Sequence, residues 1–294
     1  MLDGAVVPLQ QPARRKPATR FGEYEIVTPL ARGGMGGVYL AQHETTRERV
    51  ALKVLDSQFA NHPEIVARLF AEQTLASRVQ HPGLVDIRFT RRSSDDVPYL
   101  VMEYLEGETL GAIADREQLD VPTIVSICAQ VAAALAALHD AGVIHCDVKH
   151  DNIFVMPGGR VKVIDFGVSR LVAEPPDDDA AIAGTPWCMA PEQWQGRPST
   201  ASDVYALGCM LYDLATGLPP FDGSLPELMI AHLEQRPARP SWVAQVALPM
   251  ELERIILRAL VKDPAQRPTM HELAADLAAL ADASTAVVEL RRAG

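Results

Sequence analysis

Residues 145–152 have the sequence HCDVKHDN, and the triplet DFG follows at residues 165–167. Together they place three carboxylates, an ammonium group and a carboxamide in a loop beside short, strand-like apolar segments. Core packing gives no reason for such a cluster. Oxygen-rich side chains suit a hard cation such as Mg²⁺ that bridges phosphates, and a further carboxylate can accept a proton from an attacking hydroxyl. The cluster therefore favours phosphoryl transfer, and the rest of the sequence tests that hypothesis.

Length and charge limit the class of protein. A chain of 294 residues, 48% of them hydrophobic, suits one large two-lobed domain or two ordinary domains. A net charge of −11 disfavours nucleic acid or an anionic membrane surface as the main partner.

Four cysteines, Cys128, Cys146, Cys188 and Cys209, show neither C-x-x-C spacing nor the density of a secreted disulfide scaffold. They fit a reducing, cytoplasmic setting. The first residues lack the basic and apolar regions of a secretory signal. The longest apolar helical patch, residues 131–138, is too short to span a bilayer, so we expect no membrane span.

The first third of the chain has a β-type pattern. Apolar and β-branched residues predict a sheet of about five strands, over 24–30, 38–41, 50–55, 84–91 and 99–103. The glycine-rich residues 33–37 join the first two strands, and such a turn lets backbone N–H groups approach phosphates. A dinucleotide-binding fingerprint would open a helix after the glycines, and a Walker A loop would end in Gly-Lys-Ser/Thr. The sequence here fits neither, so a phosphate loop between two strands is favoured.

A charged pair is predicted between this sheet and the helix that follows it. The helix predicted over 63–79 places Glu72 in a core-facing stripe with Leu69 and Ala76. An unpaired charge is costly there, so Glu72 needs a cation. Lys53, in an otherwise apolar strand, is the obvious partner. The alternative is a lysine that faces solvent from an edge strand.

After residue 107 the pattern changes to long helices. An apolar helix, expected to be buried, is predicted over 121–141, and others over 202–216, 225–234, 251–262 and 269–281. Residues 171–183 form an acidic stretch long enough to be a functional surface loop. Residues 1–20 are predicted to be a flexible basic, proline-rich arm, with a docking peptide as the alternative, and residues 282–294 a C-terminal tail.

These motifs, with GTPWCMAPE at 184–192, occur in an order and spacing that resembles the catalytic domain of eukaryotic-like protein kinases, in particular bacterial serine/threonine kinases. The resemblance covers residues 21–281. It implies an α+β, bilobal fold with a small antiparallel β-sheet N-lobe (about 21–103), which carries one main helix, and a larger, mostly α-helical C-lobe (about 106–281). It also implies transfer of the γ-phosphoryl group of Mg-ATP, or Mn-ATP, to serine or threonine hydroxyls of a protein substrate. The sequence does not indicate the oligomeric state.

The resemblance implies a nucleotide site made by residues of both lobes. They are Gly33, Gly36, Val38, Ala51, Lys53, Glu72, Met102, Glu103, Leu105 and Phe154. The two glycines would cover the phosphates, and Lys53, paired with Glu72, would bind them. Residues 103–105 would form the hinge that hydrogen-bonds adenine, with Met102 guarding a pocket behind it and Phe154 closing the adenine site from below.

The resemblance also assigns the catalytic and metal-binding groups. Asp147 would accept the proton of the substrate hydroxyl, Lys149 would contact the γ-phosphate, and Thr185 would brace both. Asn152 and Asp165 would hold the metal ions. Lys149 together with the Gly-Thr pair at 184–185 resembles the serine/threonine pattern rather than the tyrosine one.

Three further positions match structural features of the family. Glu192 and Arg267 correspond to a buried ion pair of the large lobe. Asp203 would tie the helical core to the backbone of the catalytic loop, a role we prefer to a simple interaction with its own helix dipole.

Four positions depart from the pattern: Ala31, Cys146, His150 and Cys188, where glycine, arginine, proline and tyrosine are usual or common. In the family the arginine binds a phosphate on the activation loop, so its replacement by Cys146 removes the receptor for an activating phosphorylation. The residues between Ser169 and Thr185 also include no serine, threonine or tyrosine. We therefore predict that phosphorylation in the middle of the activation loop does not activate this protein. The acidic residues 177–179 are either a fixed substitute for a phosphate or a solvated surface loop.

Two other functions stay open. A pseudokinase or nucleotide-sensing scaffold would use the same fold without catalysis, but the lysine and the two aspartates that such proteins typically lose are all present here. A kinase acting on small metabolites is the other alternative, although the segment before Glu192 fits a protein substrate better. The sequence leaves open whether the chain is complete or the kinase part of a longer protein.

Overall fold

The computed structural model describes residues 20–172 and 184–293, with side chains as far as Ala283. The predicted arm, apart from Arg20, and the acidic residues 177–179 lie outside the described residues. The described part consists of a sheet-based N-terminal lobe and a helical C-terminal lobe, which confirms the predicted α+β, bilobal fold.

An antiparallel sheet of six strands forms the N-terminal lobe. The strands are β1 (Arg20–Phe21), β2 (Tyr24–Arg32), β3 (Gly36–His43), β4 (Arg49–Leu55), β5 (Ile87–Arg92) and β6 (Pro98–Glu103), in the order β1-β2-β3-β4-β6-β5. The prediction of about five strands missed β1, because two residues are too few to show a periodic pattern. Tertiary packing forms this strand instead: the ring of Phe21 meets Tyr99 edge-on at a centroid distance of 5.5 Å.

The strand register separates the sheet into two faces. Val38 lies opposite Lys53, and Ala51 lies opposite Met102. Directly opposed residues, and residues two apart on a strand, share a face, so these four predicted nucleotide-site residues lie on one side of the sheet. The other side is an apolar cluster with its own buried core: Phe21, Tyr24, Tyr39, Ala41, Val50, Leu52, Val54, Tyr99 and Val101.

The glycine-rich turn is tighter than predicted. Strand β2 continues past residue 30 to Arg32 and β3 already begins at Gly36, so only residues 33–35 remain between them. The N–H of Gly33 donates to the carbonyl oxygen of Gly36 at 2.9 Å. A Cβ atom at Gly36 would lie 2.0 Å from the carbonyl oxygen of Val54, so only glycine fits there. The periodicity of the sequence missed the strand ends because glycine has no side chain that could continue the alternation of apolar and polar residues.

One helix covers the sheet. Helix α1 (Pro63–Ala76) packs against β5 and β6 and ends before the predicted residue 79. Its first turn contains a proline, whose fixed φ and missing N–H suit that position. Leu69, Glu72 and Ala76 are buried, as the stripe predicted.

The C-terminal lobe is built around one central helix. The helices are α2 (Leu110–Arg116), α3 (Val121–Asp140), α4 (Pro191–Trp194), α5 (Thr200–Thr216), α6 (Leu225–Glu234), α7 (Pro240–Val243), α8 (Met250–Ala259) and α9 (Met270–Ala293). Short strands β7 (Glu108–Thr109), β8 (Val143–Ile144), β9 (Ile153–Val155), β10 (Val161–Val163) and β11 (Arg170–Leu171) form two small sheets, β10-β9-β7 and β11-β8. The central helix α3 packs against α5, α9 and β10.

Helix α3 corrects the argument about membrane spans. Within the described residues it is the one helix long and apolar enough to cross a membrane by length and composition, and it extends well beyond the apolar patch at 131–138. The argument from length was therefore wrong, but a single helix of this kind is weak evidence of a membrane span. More than half of its apolar window is buried inside the protein, as expected of a core helix.

The last helix is longer than predicted. A reciprocal cap fixes its start: the N–H of Thr269 donates to Glu272 Oε2 at 2.7 Å, and the N–H of Glu272 donates to Thr269 Oγ1 at 3.2 Å. The helix then continues to Ala293, through the segment predicted as a C-terminal tail. The sequence offers no glycine or proline between residues 271 and 293 to end it.

Candidate active site

Asp203 fixes the backbone of the predicted catalytic loop. Its carboxylate lies in the first turn of α5, is 1% exposed, and accepts from the N–H groups of His145 and Cys146 at 2.8 Å each. His139 Nε2 lies 2.8 Å from the same carboxylate. These contacts confirm the predicted tie between the helical core and the loop.

Two residues of the site have strained backbones. Cys146 and Asp165 both have φ of 66°. This angle lies in the left-handed region, which residues other than glycine rarely adopt. The carbonyl oxygen of Cys146 accepts from Gln193 Nε2 at 2.9 Å, so α4 and α5 hold this residue from opposite sides. Strain of this kind persists where the surroundings fix it and concentrates at functional sites.

Asp147 is the centre of a polar network. Its Oδ1 accepts from Thr185 Oγ1 at 2.6 Å, and its Oδ2 lies 2.8 Å from Lys149 Nζ. Lys149 Nζ also donates to Thr185 Oγ1 at 2.9 Å. Burial alone would lower the pKa of Lys149, but the hydrogen bond and charge of Asp147 raise it above its ordinary value. The structure therefore brings the three predicted catalytic residues together, with the lysine as a cation.

Asn152 is oriented by the same network. Its amide nitrogen donates to the carbonyl oxygen of Asp147 at 2.8 Å and to Asp147 Oδ2 at 3.0 Å. Because the two donor hydrogens face Asp147, the carbonyl oxygen of Asn152 is the atom that it can offer to a cation.

A second network joins the two lobes. Lys53 Nζ donates to both carboxylate oxygens of Glu72, at 3.1 and 2.9 Å, and to Asp165 Oδ1 at 2.8 Å. The first contact confirms the pair predicted from the helix face and excludes a solvent-facing lysine. The N–H of Phe166 donates to Glu72 Oε1 at 3.3 Å, so α1 is attached to the DFG segment as well.

The charges of this network favour an added cation. Burial raises the pKa of Glu72, against the effect of the Lys53 ammonium. Burial would also raise the pKa of Asp165, but the Lys53 ammonium lowers it below its ordinary value. The same two carboxylates hold the pKa of Lys53 above its ordinary value despite burial. One ammonium thus serves two carboxylates, and Asp165, with its side chain 45% exposed, is accessible.

These groups fit magnesium-bound ATP. Asp165 and Asn152 supply the oxygen ligands that Mg²⁺ prefers, and Lys53 and Lys149 supply cations for phosphates. A Cβ at Gly167 would lie 3.1 Å from Asp165 Oδ1 and 3.6 Å from Lys53 Nζ, so glycine keeps the space beside this cluster open.

The other predicted nucleotide-site residues lie outside these two networks in the described part of the chain. Val38, Ala51 and Met102 lie on the sheet face described above, and Phe154 lies on β9 of the helical lobe. Gly33 and Gly36 lie at the turn between β2 and β3, and Glu103 and Leu105 lie where the chain passes from β6 to the helical lobe.

The connection between the lobes contains an ion pair that sequence reasoning missed. Lys162 Nζ, on β10, donates to Glu103 Oε1 at 2.6 Å and to the carbonyl oxygen of Leu84 at 2.9 Å. Glu103 Oε1 also accepts from the N–H of Asp86 at 2.7 Å. The only signal in the sequence is a lysine within an otherwise apolar strand, the same signal that identified Lys53.

The predicted ion pair of the large lobe is also present. Arg267 donates to Glu192 through two parallel bonds, Nη1 to Oε1 at 2.7 Å and Nη2 to Oε2 at 2.9 Å. Glu192 lies in α4, directly before Gln193, which holds Cys146, so the pair supports the catalytic loop from behind.

The fold and this constellation are those of a protein kinase. A family model described as "Protein kinase domain" matches residues 24–277, and the chain belongs to the protein kinase family. It is 42% identical over 256 residues to "Serine/threonine-protein kinase Pkn1" of Myxococcus xanthus, an alignment that covers 84% of this chain and 36% of that protein. It is 36% identical over 271 residues to "Serine/threonine-protein kinase PknB" of Mycobacterium tuberculosis, covering 89% of this chain and 43% of that protein. The chain thus spans less than half the length of these relatives.

Proposed function

We propose that this chain is an active serine/threonine protein kinase that transfers the γ-phosphoryl group of Mg-ATP to hydroxyl groups of a protein substrate. The observation that carries the proposal is the assembled network of Asp147, Lys149 and Thr185 beside the two candidate metal ligands. The names of the relatives favour serine and threonine as acceptors.

The proposed mechanism relies on positioning and charge. Asn152 and Asp165 would hold Mg²⁺, which would supply positive charge against the phosphates. Lys53, held by Glu72, positions the α- and β-phosphates, and Lys149 contacts the γ-phosphate. Asp147 orients the acceptor hydroxyl and accepts its proton, with Thr185 and Asn152 fixing the direction of the carboxylate. The apolar residues Val38, Ala51, Met102 and Phe154 enclose the adenine, and the backbone at residues 103–105 hydrogen-bonds its edge.

Label transfer from γ-labelled ATP tests the proposal. The purified chain is incubated with Mg²⁺ or Mn²⁺ and with acceptor peptides that contain serine, threonine or tyrosine. We expect label on serine or threonine, and a loss of about 10²-fold or more in Lys53→Met, since losing one preorganised electrostatic contact to the reacting triphosphate costs that much. Arg91→Met, which removes an exposed cation of the same sheet, is expected to keep full activity. Absence of transfer in the parent, or equal transfer in Lys53→Met, would sink the active-kinase proposal.

A pseudokinase is the second candidate, and phosphoryl transfer from the bound nucleotide separates the two. A nucleotide-sensing scaffold would bind ATP without turnover, whereas a kinase also transfers label. The intact ion pair of Lys53 and the accessible carboxylate of Asp165 support the catalytic alternative. We also place the reaction in the cytoplasm, a setting that the buried free thiols of Cys128, Cys188 and Cys209 support.

We further propose that activation does not depend on a phosphate in the middle of the activation loop. The position of the usual arginine receptor is held by Cys146, whose backbone N–H and carbonyl groups are bound by Asp203 and Gln193. Its side chain is small, neutral and buried, and supplies no cation for a phosphate.

Mass spectrometry of the active protein tests this regulation. We expect full activity without a stoichiometric phosphate on Ser169 or Thr185, the serine and threonine that bound the loop. A phosphatase-treated sample should keep its rate. An activating phosphate confined to either residue, lost together with activity on phosphatase treatment, would count against the proposal. Replacing residues 177–179 with asparagine separately tests whether these acids substitute for a phosphate: unchanged activity would exclude that role.

A further inference from the structure

Two aromatic rings are stacked between the segments that meet at Asp147. The imidazole of His150 and the indole of Trp187 are nearly parallel, at 10°, with ring centroids 5.2 Å apart. His150 opens the 3-10 turn that ends at Asn152, and Trp187 lies in the turn Pro186–Cys188, two residues after Thr185. The stack therefore connects the catalytic loop with the segment that carries Thr185.

The ring of His150 packs on Trp187, while its polar atoms are only partly partnered: the backbone of Met210 and the carboxylate of Asp213 lie beside them. The residue is 8% exposed, and its Nε2 has no hydrogen-bond partner among the described residues. The nearest acidic group is Asp213 of α5, with Oδ2 at 3.6 Å, which is too long for a hydrogen bond. A buried polar atom without a partner is unfavourable, so packing against Trp187 offsets that cost. Proline, which is common here in the family, has no aromatic face to stack.

The turn that carries Trp187 is hydrogen-bonded to Thr185. The N–H of Cys188 donates to the carbonyl oxygen of Thr185 at 3.1 Å, and Cys188 Sγ contacts both that oxygen and the carbonyl oxygen of Val148 at 3.4 Å. The position of Trp187 is therefore tied to that of Thr185. Thr185 Oγ1 donates to Asp147 Oδ1, so the stack and this hydrogen bond hold the same two segments together.

We propose that His150 is a positioning residue for the protein acceptor: by stacking on Trp187 it fixes residues 185–188 against the catalytic loop. The proposal rests on the proposed kinase function and adds a role for a residue that departs from the family's pattern. Thr185 also accepts from Lys149, the proposed contact to the γ-phosphate, but the contacts of Lys53, Glu72 and Asp165 belong to a separate network. Loss of the ring should thus weaken use of the acceptor peptide while KM for ATP stays nearly unchanged.

Three substitutions separate the ring from the polar atoms. His150→Phe keeps a flat ring, His150→Gln keeps polar atoms and similar size, and His150→Ala keeps neither. We expect kcat/KM for the acceptor to fall about fivefold in the Gln and Ala variants, the effect of losing one aromatic pair. KM for ATP should stay within about twofold. The Phe variant should recover the parent value, and His271→Ala, which removes an exposed histidine, serves as the matched control.

Fluorescence of Trp187 provides a second measurement. The chain has three tryptophans, so in a Trp194→Phe/Trp242→Phe background the emission comes from Trp187 alone. In the Gln and Ala variants we expect the emission maximum to shift to the red and acrylamide to quench the emission faster. In the Phe variant we expect the emission maximum and the quenching of the parent, with a change only in intensity. Thermal unfolding of each variant identifies any that fails to fold, and the comparison of Phe with Gln remains if Ala does.

The outcomes separate this proposal from the function on which it rests. A parent that transfers no label overturns the kinase function, and the fluorescence comparison then still decides whether His150 holds Trp187. If the parent is active and folded His150→Phe is as impaired as His150→Gln, or if KM for ATP rises as much as KM for the acceptor, the positioning role is overturned.

Discussion

Replacing Asp147 by asparagine is expected to lower kcat by about 10³-fold, within the range of a lost general base. Asparagine preserves the size of the side chain and one oxygen, so the bond from Thr185 Oγ1 can persist. It cannot accept the proton of the acceptor hydroxyl, and it removes the charge beside Lys149 Nζ, 2.8 Å away. Because Lys53 and Asp165 are held by other contacts, KM for ATP should change little.

The matched control for this substitution is Asp151→Asn. Asp151 is an exposed carboxylate four residues further along the same loop. Its replacement changes the net charge of the chain by the same amount but should leave kcat nearly unchanged. Steady-state and single-turnover rates with an acceptor peptide measure both variants. Loss of a general base lowers the rate by about 10²-fold or more. If Asp147→Asn keeps more than about a tenth of the parent rate, the assignment of Asp147 as the general base is wrong.

Replacing Arg267 by methionine is expected to cost about 3–5 kcal/mol of the free energy of unfolding, the usual effect of breaking a buried ion pair. The side chain of Arg267 is fully buried. Besides its two bonds to Glu192, it donates to the carbonyl oxygens of Val261 and Ala201 at 2.7 Å each and of Lys262 at 2.9 Å. Methionine would leave the Glu192 carboxylate buried without its cation and would remove one donor from each of these carbonyl groups.

Denaturant unfolding followed by circular dichroism measures this loss. The matched control is Arg254→Met, which breaks an exposed pair with Glu251 on α8 and is expected to change stability far less. A double variant, Glu192→Gln with Arg267→Met, should recover part of the loss because no buried charge remains unpaired. Equal destabilisation by Arg267→Met and Arg254→Met would mean that the buried pair contributes no more to the free energy of unfolding than the exposed pair.

Hydrophobic periodicity and charge predicted the contacts of the site that a charged residue within an apolar segment requires. A carboxylate on the buried face of a helix and a lysine in an apolar strand were enough to pair Glu72 with Lys53, and the resemblance added the roles. Each of these charged groups lies in an apolar pattern and therefore requires a partner of opposite charge, which limits the candidate partners to few residues.

Periodicity and charge could not predict contacts between distant segments where the sequence indicated no partner. Lys162 lies in an apolar strand, but its partner Glu103 is 59 residues away and was predicted only as part of the hinge. The stack of His150 on Trp187 depends on two turns that propensity does not specify. The predicted ends of β2, β3 and α9 differ from the observed ones. Strand pairing and helix propagation continue until a residue interrupts them, and the glycine-rich turn and the alanine-rich last helix contain no pattern that marks this point.

Asp203 has a consequence for the dynamics of the loop that it binds. Amide hydrogens in loops usually exchange with solvent after small local openings, whereas those of core helices exchange only when the domain unfolds. The amides of His145 and Cys146 are bound by the carboxylate of Asp203, which lies in α5. We therefore expect these two amides to exchange nearly as slowly as those of the helical core, and the rigidity of the catalytic loop to depend on a residue that binds neither substrate.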